Sequence, residues 1–180
     1  MIQSVDGKTP VIDDSAFVSK GAFVIGDVEI GENCSIWPGA VIRGDFGKIT
    51  IGANCALEDN CVIHSGSLST KDSICDVTIG DNVIIGHGAV INCLKVGNNV
   101  LIGMNASILH DAEIDDFCII GAACMINQGM KVPDNSFVVG VPAKIKGKIT
   151  PDQKQRLLNG ADIYVKNAMK YKNSLTDQSQ

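Results

Sequence analysis

An aliphatic residue returns at every sixth position along most of this chain, and few backbones repeat with that period. The series starts at Ile12 and runs through Val18, Val24, Ile30, Ile36 and Ile42. Three extra residues, Phe46 to Lys48, shift the register, which resumes at Ile51, Leu57 and Ile63. An eleven-residue insertion, Gly66 to Asp76, precedes Ile79, Ile85 and Ile91. One step is then a residue short, and from Val96 the spacing is unbroken through Ile102, Ile108, Ile114, Ile120, Ile126, Val132 and Val138, giving 20 starters. Four residues after each starter is a second slot, and 16 of the 20 hold Ala, Cys, Ser or Val, with Phe46 and Lys95 excepted where the spacing breaks. An amphipathic helix repeats at 3.6 and a half-buried strand at 2, so a period of six calls for a flat strand followed by a corner. Three such units close one triangular coil, and coils stack at the inter-strand spacing of about 4.8 Å. The pattern predicts an all-β parallel helix of about seven coils, with large aliphatics filling the prism and small residues near its corners. Glycines that follow many starters, Gly31 and Gly52 among them, are expected to ease the backbone at the bends.

With 180 residues, 45% of them hydrophobic, the chain supports one domain with a substantial core. Aromatics are only 4%, as a narrow aliphatic prism requires. The β-helix is placed at 1–148, a C-terminal helix at 149–173 and a tail at 174–180. Thr150-Pro151-Asp152-Gln153 reads as an N-cap, a proline at the first helical position and a capping-box glutamine. Leu157, Leu158, Ala161, Val165 and Ala168 then form an apolar stripe, predicted to lie on a prism face or a neighbouring subunit. A net charge of -5 with interspersed signs excludes a nucleic-acid stripe and a polybasic membrane anchor. The opening MIQSVDGKTP lacks a basic region followed by an apolar one, and no apolar run approaches the roughly 20 residues of a membrane span, so the expectation is a cytoplasmic protein. Of seven cysteines, Cys34, Cys55, Cys61, Cys118 and Cys124 occupy the small interior slot and read as core filler. Cys75 and Cys93 lie elsewhere, without partners at metal-ligand spacing.

The three histidines fall outside the packing slots. If the prism faces are lettered A, B and C in turn from Ile12, then Ile42, Ile63, Ile91 and Ile108 open face C on successive coils. Arg43, His64 and Asn92 share the next position and stack above one another, with Asp45 and His110 on the same face. Glu58 and His87 belong to face B, His87 near its far end. One wall therefore gathers an arginine, an aspartate, two histidines and an amide.

At these residues the chain resembles the gamma-class carbonic anhydrases and their relatives labelled carnitine- or phenylacetate-pathway acyltransferases. The matching stretches are WPGAVIRGD (37–45), EDNCVIH (58–64), IGHGAVINC (85–93), VLIGMNASIL (100–109) and VVGVPAK (138–144). The resemblance implies a left-handed β-helix, a hand that the periodicity alone does not give, since parallel crossovers are normally right-handed. It implies a homotrimer with a zinc ion, or iron or cobalt in its place, held by three histidines at each interface. His64 matches the first ligand and His87 the second, given by the adjacent subunit; the third matches position 92, which is Asn here. Arg43 and Asp45 match a structural ion pair beneath the site, and Glu58 stands where the family has a water-orienting glutamine. Two substitutions offer compensation as a third ligand: His110, one coil beyond Asn92, or the Glu58 carboxylate.

Three functions are open at this point. The first is interconversion of carbon dioxide and bicarbonate, with Glu58 or His110 positioning or shuttling the proton at a site shared with Asn92. The family's acidic loop is not evident for that role, as the insertion offers only Asp72 and Asp76. The second is an acyl-CoA transferase or thioesterase using His87 or His110 as general base. The third is a non-catalytic trimeric scaffold. All three take small-molecule or protein partners rather than nucleic acid or membrane.

Overall fold

The computed structural model describes residues 1–66 and 76–177. The expectations for Asp72, Cys75 and residues 178–180 lie outside them. Short parallel strands wind about seven coils of a left-handed β-helix, and one helix, α1 (Pro151–Asp177), follows. Face B is a continuous eight-stranded sheet. Faces A and C join in a twelve-stranded sheet, because the long strands Phe23–Ile30 and Val41–Ile51 carry the chain from C through the corner into A. The extra residues at Phe46 lie within Val41–Ile51, where pairing with Phe23–Ile30 slips between Gly26 and Val28.

Of the 20 starters, 18 are buried, and Ile12 and Val18 in the first coil are partly buried against the same core. Ile36, Ile42, Leu57, Ile63, Ile85 and Ile91 have no exposed surface. The interior cysteines are buried as the spacing predicts, and Cys93 is buried with them. Burial pushes the thiols of Cys61 and Cys93 up to about 12 and that of Cys118 to about 11, because a thiolate would lose its hydration inside an aliphatic prism.

The corners differ from expectation. The left-handed bend falls three positions after the starter, and asparagine takes it at Asn33, Asn54, Asn82 and Asn99, with φ of 56°, 57°, 57° and 54°. The side chains link coil to coil, each Nδ2 donating to the next Oδ1 at 3.2, 3.1 and 3.2 Å. Gly31 and Gly52 have no positive φ; a Cβ on Gly31 would lie 2.7 Å from the Gly52 carbonyl oxygen of the next coil. Close stacking, not backbone freedom, selects glycine after the starter.

The capping box forms: Thr150 N–H donates to Gln153 Oε1 at 2.8 Å and Gln153 N–H to Thr150 Oγ1 at 3.2 Å. Helix α1 runs past 173 to Asp177 and crosses face B of its own prism back towards the first coil, where Lys172 Nζ donates to the Asp14 carbonyl. Leu157, Ala161 and Ala168 are buried, whereas Leu158 is 44% exposed. The buried stripe runs through Tyr164 instead, which packs beside Phe17, Trp37 and Ala168. No helix among the described residues is long and apolar enough to cross a membrane.

Candidate functional site

Register places the site. Val41 pairs with Val62 and Arg43 with His64, and Val62–Ile63 pairs with Val90–Ile91, so Arg43, His64 and Asn92 project from adjacent strands of face C. The Arg43 guanidinium donates to Asp45, whose other oxygen lies 3.0 Å from His64 Nε2. Partial burial works to raise the Asp45 carboxyl, but Arg43 and His64 outweigh it and hold the group below its ordinary range. A carboxylate at Nε2 fixes the proton there and leaves Nδ1 as the acceptor. Asn92 Nδ2 donates to that nitrogen at 3.4 Å, a long and weak bond. The Phe46 ring stands edge-on to the imidazole with centroids 5.7 Å apart.

His87 sits at the corner between faces B and C, half-exposed. Its backbone N–H donates to Glu58 Oε2 at 2.9 Å, and its ring nitrogens lie 3.1 Å from Glu58 Oε2 and 3.0 Å from Asp59 Oδ2. Glu58 is only 5% exposed, and its second oxygen accepts the Tyr164 hydroxyl from α1. Burial and the adjacent carboxylate push the Tyr164 phenol well above its usual value, so it remains a donor. The His110 ring is half-buried and forms no hydrogen bond or ion pair among the described residues. The structure thus brings together two groups: Arg43, Asp45, His64 and Asn92 on face C, and Glu58 with His87 at the corner. Asp59 and Tyr164 join the second group unforeseen. Asp59 follows Glu58 directly in sequence, but Tyr164 lies 106 positions away on a helix whose docking the repeat does not encode.

Asn92 Oδ1 is buried with no hydrogen-bond partner among the described residues. An acceptor oxygen without a donor beside an imidazole is the kind of demand a cation satisfies. His64 and Asn92 therefore fit a divalent metal as two neighbouring donors, the amide weaker than the imidazole it replaces. Among the described residues of one chain, no three His, Cys, Asp or Glu side chains are grouped to hold an ion.

The family model for bacterial transferase hexapeptide (six repeats) matches residues 9–44 and 94–128. The protein named probable carbonic anhydrase in Methanocaldococcus jannaschii is 43% identical over 156 residues, 87% of this chain and 94% of that protein. The chain belongs to the gamma carbonic anhydrase-like family of hexapeptide-repeat proteins. Gamma carbonic anhydrase 2, mitochondrial, of Arabidopsis thaliana is 32% identical over 91% of this chain, which spans 59% of that relative's length. The crystal structure of a hexapeptide transferase family protein from Anaplasma phagocytophilum superposes with a TM-score of 0.87 at 32% identity, covering 94% of this chain and 97% of that one. Both enzyme names therefore occur among relatives of this prism.

Proposed function

We propose that three copies of this chain associate through face C, and that the shared pocket of His64 and Asn92 from one copy and His87 from the next interconverts carbon dioxide and bicarbonate with a bound divalent metal. The supporting observation is the outer surface of face C. Phe23, Val41, Val62, Val90, Ser107 and Met125 stand in one row across it, linked by strand register. Phe23 and Val90 are 40% and 42% exposed, and this stripe runs beside the row of Arg43, His64 and Asn92. A row apolar at five of its six positions, flanking polar, ligand-type side chains, suits a subunit seam with a site inside it. The family relationship supports the same reading.

In this arrangement His64 and the partner's imidazole hold the ion, with Asn92, or else Glu58 or His110, as the third donor. Zinc, iron and cobalt all accept such a set. When bound, the ion supplies Lewis-acid activation of water for attack on carbon dioxide. Asp45 keeps the His64 proton on Nε2 and so makes Nδ1 the nitrogen that carries the lone pair; Arg43 keeps Asp45 ionised. Glu58 orients the His87 corner through the backbone N–H and the ring, and the buried carboxylate is placed to take a proton from the pocket.

Metal analysis of protein purified without chelators or an affinity tag, paired with stopped-flow carbon dioxide hydration, tests the proposal. Stoichiometric zinc, iron or cobalt with hydration activity supports it; trimers that neither bind metal nor hydrate carbon dioxide overturn it. The His110 ring, without a hydrogen-bond partner among the described residues, and the transferase relative favour a second reading, acyl transfer from CoA with His110 as general base. Protection of the fold by acetyl-CoA would support that alternative.

A further inference from the structure

Helix α1 does not cover all of face B. The outward row of that face reads Phe17, Ser35, Ala56, Ile84, Leu101 and Ile119 by register, and the first four are buried while Leu101 and Ile119 are only partly buried. Where the cover ends there is a cavity of about 310 Å³ with walls from Ile84, Leu101, Met104 and Ala122, closed by Tyr164 and the Glu58 carboxylate. Met104 stands at its rim, a large apolar side chain 55% exposed. Carbon dioxide has three heavy atoms and would leave most of this space empty. The volume lies at the lower end of the roughly 300–1,000 Å³ of small-molecule pockets, and the carbon-rich lining suits a single ring or short chain.

The polar end sets the charge of the occupant. Glu58 and Asp59 both pair with His87, and no Lys or Arg pairs with either carboxylate among the described residues. Two carboxylates against one imidazole leave a negative charge uncompensated even when the ring is protonated. Glu58 accepts the Tyr164 hydroxyl and the His87 backbone N–H and has the His87 ring at 3.1 Å, and a carboxylate has about four acceptor positions, so one place for a further donor remains. We propose that this cavity binds a small amphipathic amine, with its apolar body against Ile84, Leu101 and Met104 and its ammonium group at Glu58. The ammonium would share Glu58 with the carbon dioxide site proposed above, but binding requires neither a metal nor a partner subunit, so the metal-free chain tests it separately.

The test uses the full chain with benzylamine, benzyl alcohol and benzoate as probes, read by calorimetry and by the emission of the single tryptophan, Trp37, whose ring centroid is 6.5 Å from that of Tyr164. Benzylamine should give a saturable response, benzyl alcohol should bind about tenfold more weakly, as the loss of a charge-assisted hydrogen bond implies, and benzoate should not bind. Glu58→Gln should bring benzylamine down to the level of benzyl alcohol. Leu101→Phe and Ala122→Phe, each partly filling the cavity at a position that is not fully buried, should abolish the response with an unchanged circular dichroism spectrum. Benzoate binding as well as benzylamine, filled-cavity variants that still bind, or no saturable response from any probe, as when a second copy occupies the cavity, would overturn the proposal.

Discussion

Faces A and C are made of the same six-residue unit with the same aliphatic residues pointing inward, yet their outer rows are opposites. After an exposed Val11 in the first coil, the outward residues of face A are Glu29, Thr50, Thr78, Lys95, Glu113 and Lys131, tied by ion pairs of Lys48 to Glu29 at 2.6 Å and of Lys131 to Glu113 at 3.0 Å. On face C the same positions hold Phe23, Val41, Val62, Val90, Ser107 and Met125. The inward series determines that a prism forms; the outward series sets the chemistry each wall presents, charged and hydroxyl side chains on face A and mostly apolar ones on face C. A face can thus be assigned a role from alternate residues alone, because successive side chains of a strand point to opposite sides.

The inner and outer rows of face C give the largest contrast. Ile63→Ala should cost about 2–5 kcal/mol of folding stability in urea denaturation, since a fully buried aliphatic in a closely packed prism leaves a cavity. A loss within about 0.5 kcal/mol would mean that the prism is looser than its burial indicates. One residue earlier, Val62→Glu should leave secondary structure intact but abolish association in size-exclusion chromatography, because a carboxylate would be desolvated in the seam. The matched Thr78→Glu on face A should change neither property.

Within the face C site, Asn92→His should raise zinc affinity by about tenfold or more, measured by competition with a fluorescent chelator, as an imidazole replaces an amide. Equal affinities would remove position 92 from the ligand set. The buried thiols respond to pH in a set direction. Unfolded cysteines ionise near 8.5, whereas Cys61 and Cys93 hold their protons to about 12, so the unfolded state loses protons first and stability should fall as pH rises from about 8.5 towards 12. Below pH 8 that contribution is constant, and a melting temperature that rose between pH 8.5 and 10 would contradict it. The smallest effect belongs to face A: Lys131→Ala removes an exposed ion pair and should shift stability by less than about 0.5 kcal/mol.

The prism was legible because its signal is repeated twenty times and each repeat is locally complete. The stacking of Arg43, His64 and Asn92 followed from counting alone, since coils in register bring equal positions together. The corner chemistry was less legible: glycine after the starter suggested backbone freedom, but the bend is taken by asparagine two residues later, and glycine answers to the next coil's carbonyl. Leu158 and Tyr164 show the other limit. Both fit a helical stripe within a residue or two, and only the position of Trp37 and Phe17 on face B decides that Tyr164 turns inward to reach Glu58 while Leu158 faces solvent. The partners of His87 include Glu58 from the preceding coil and, through it, Tyr164 from α1, so no single stretch of sequence contains them.

Sedimentation equilibrium of the tag-free chain at micromolar concentration tests most directly whether face C is a seam. The account predicts a single species of three times the 19.0 kDa chain mass. A stable 19.0 kDa species under the same conditions would leave His64 and His87 without a shared pocket and contradict it.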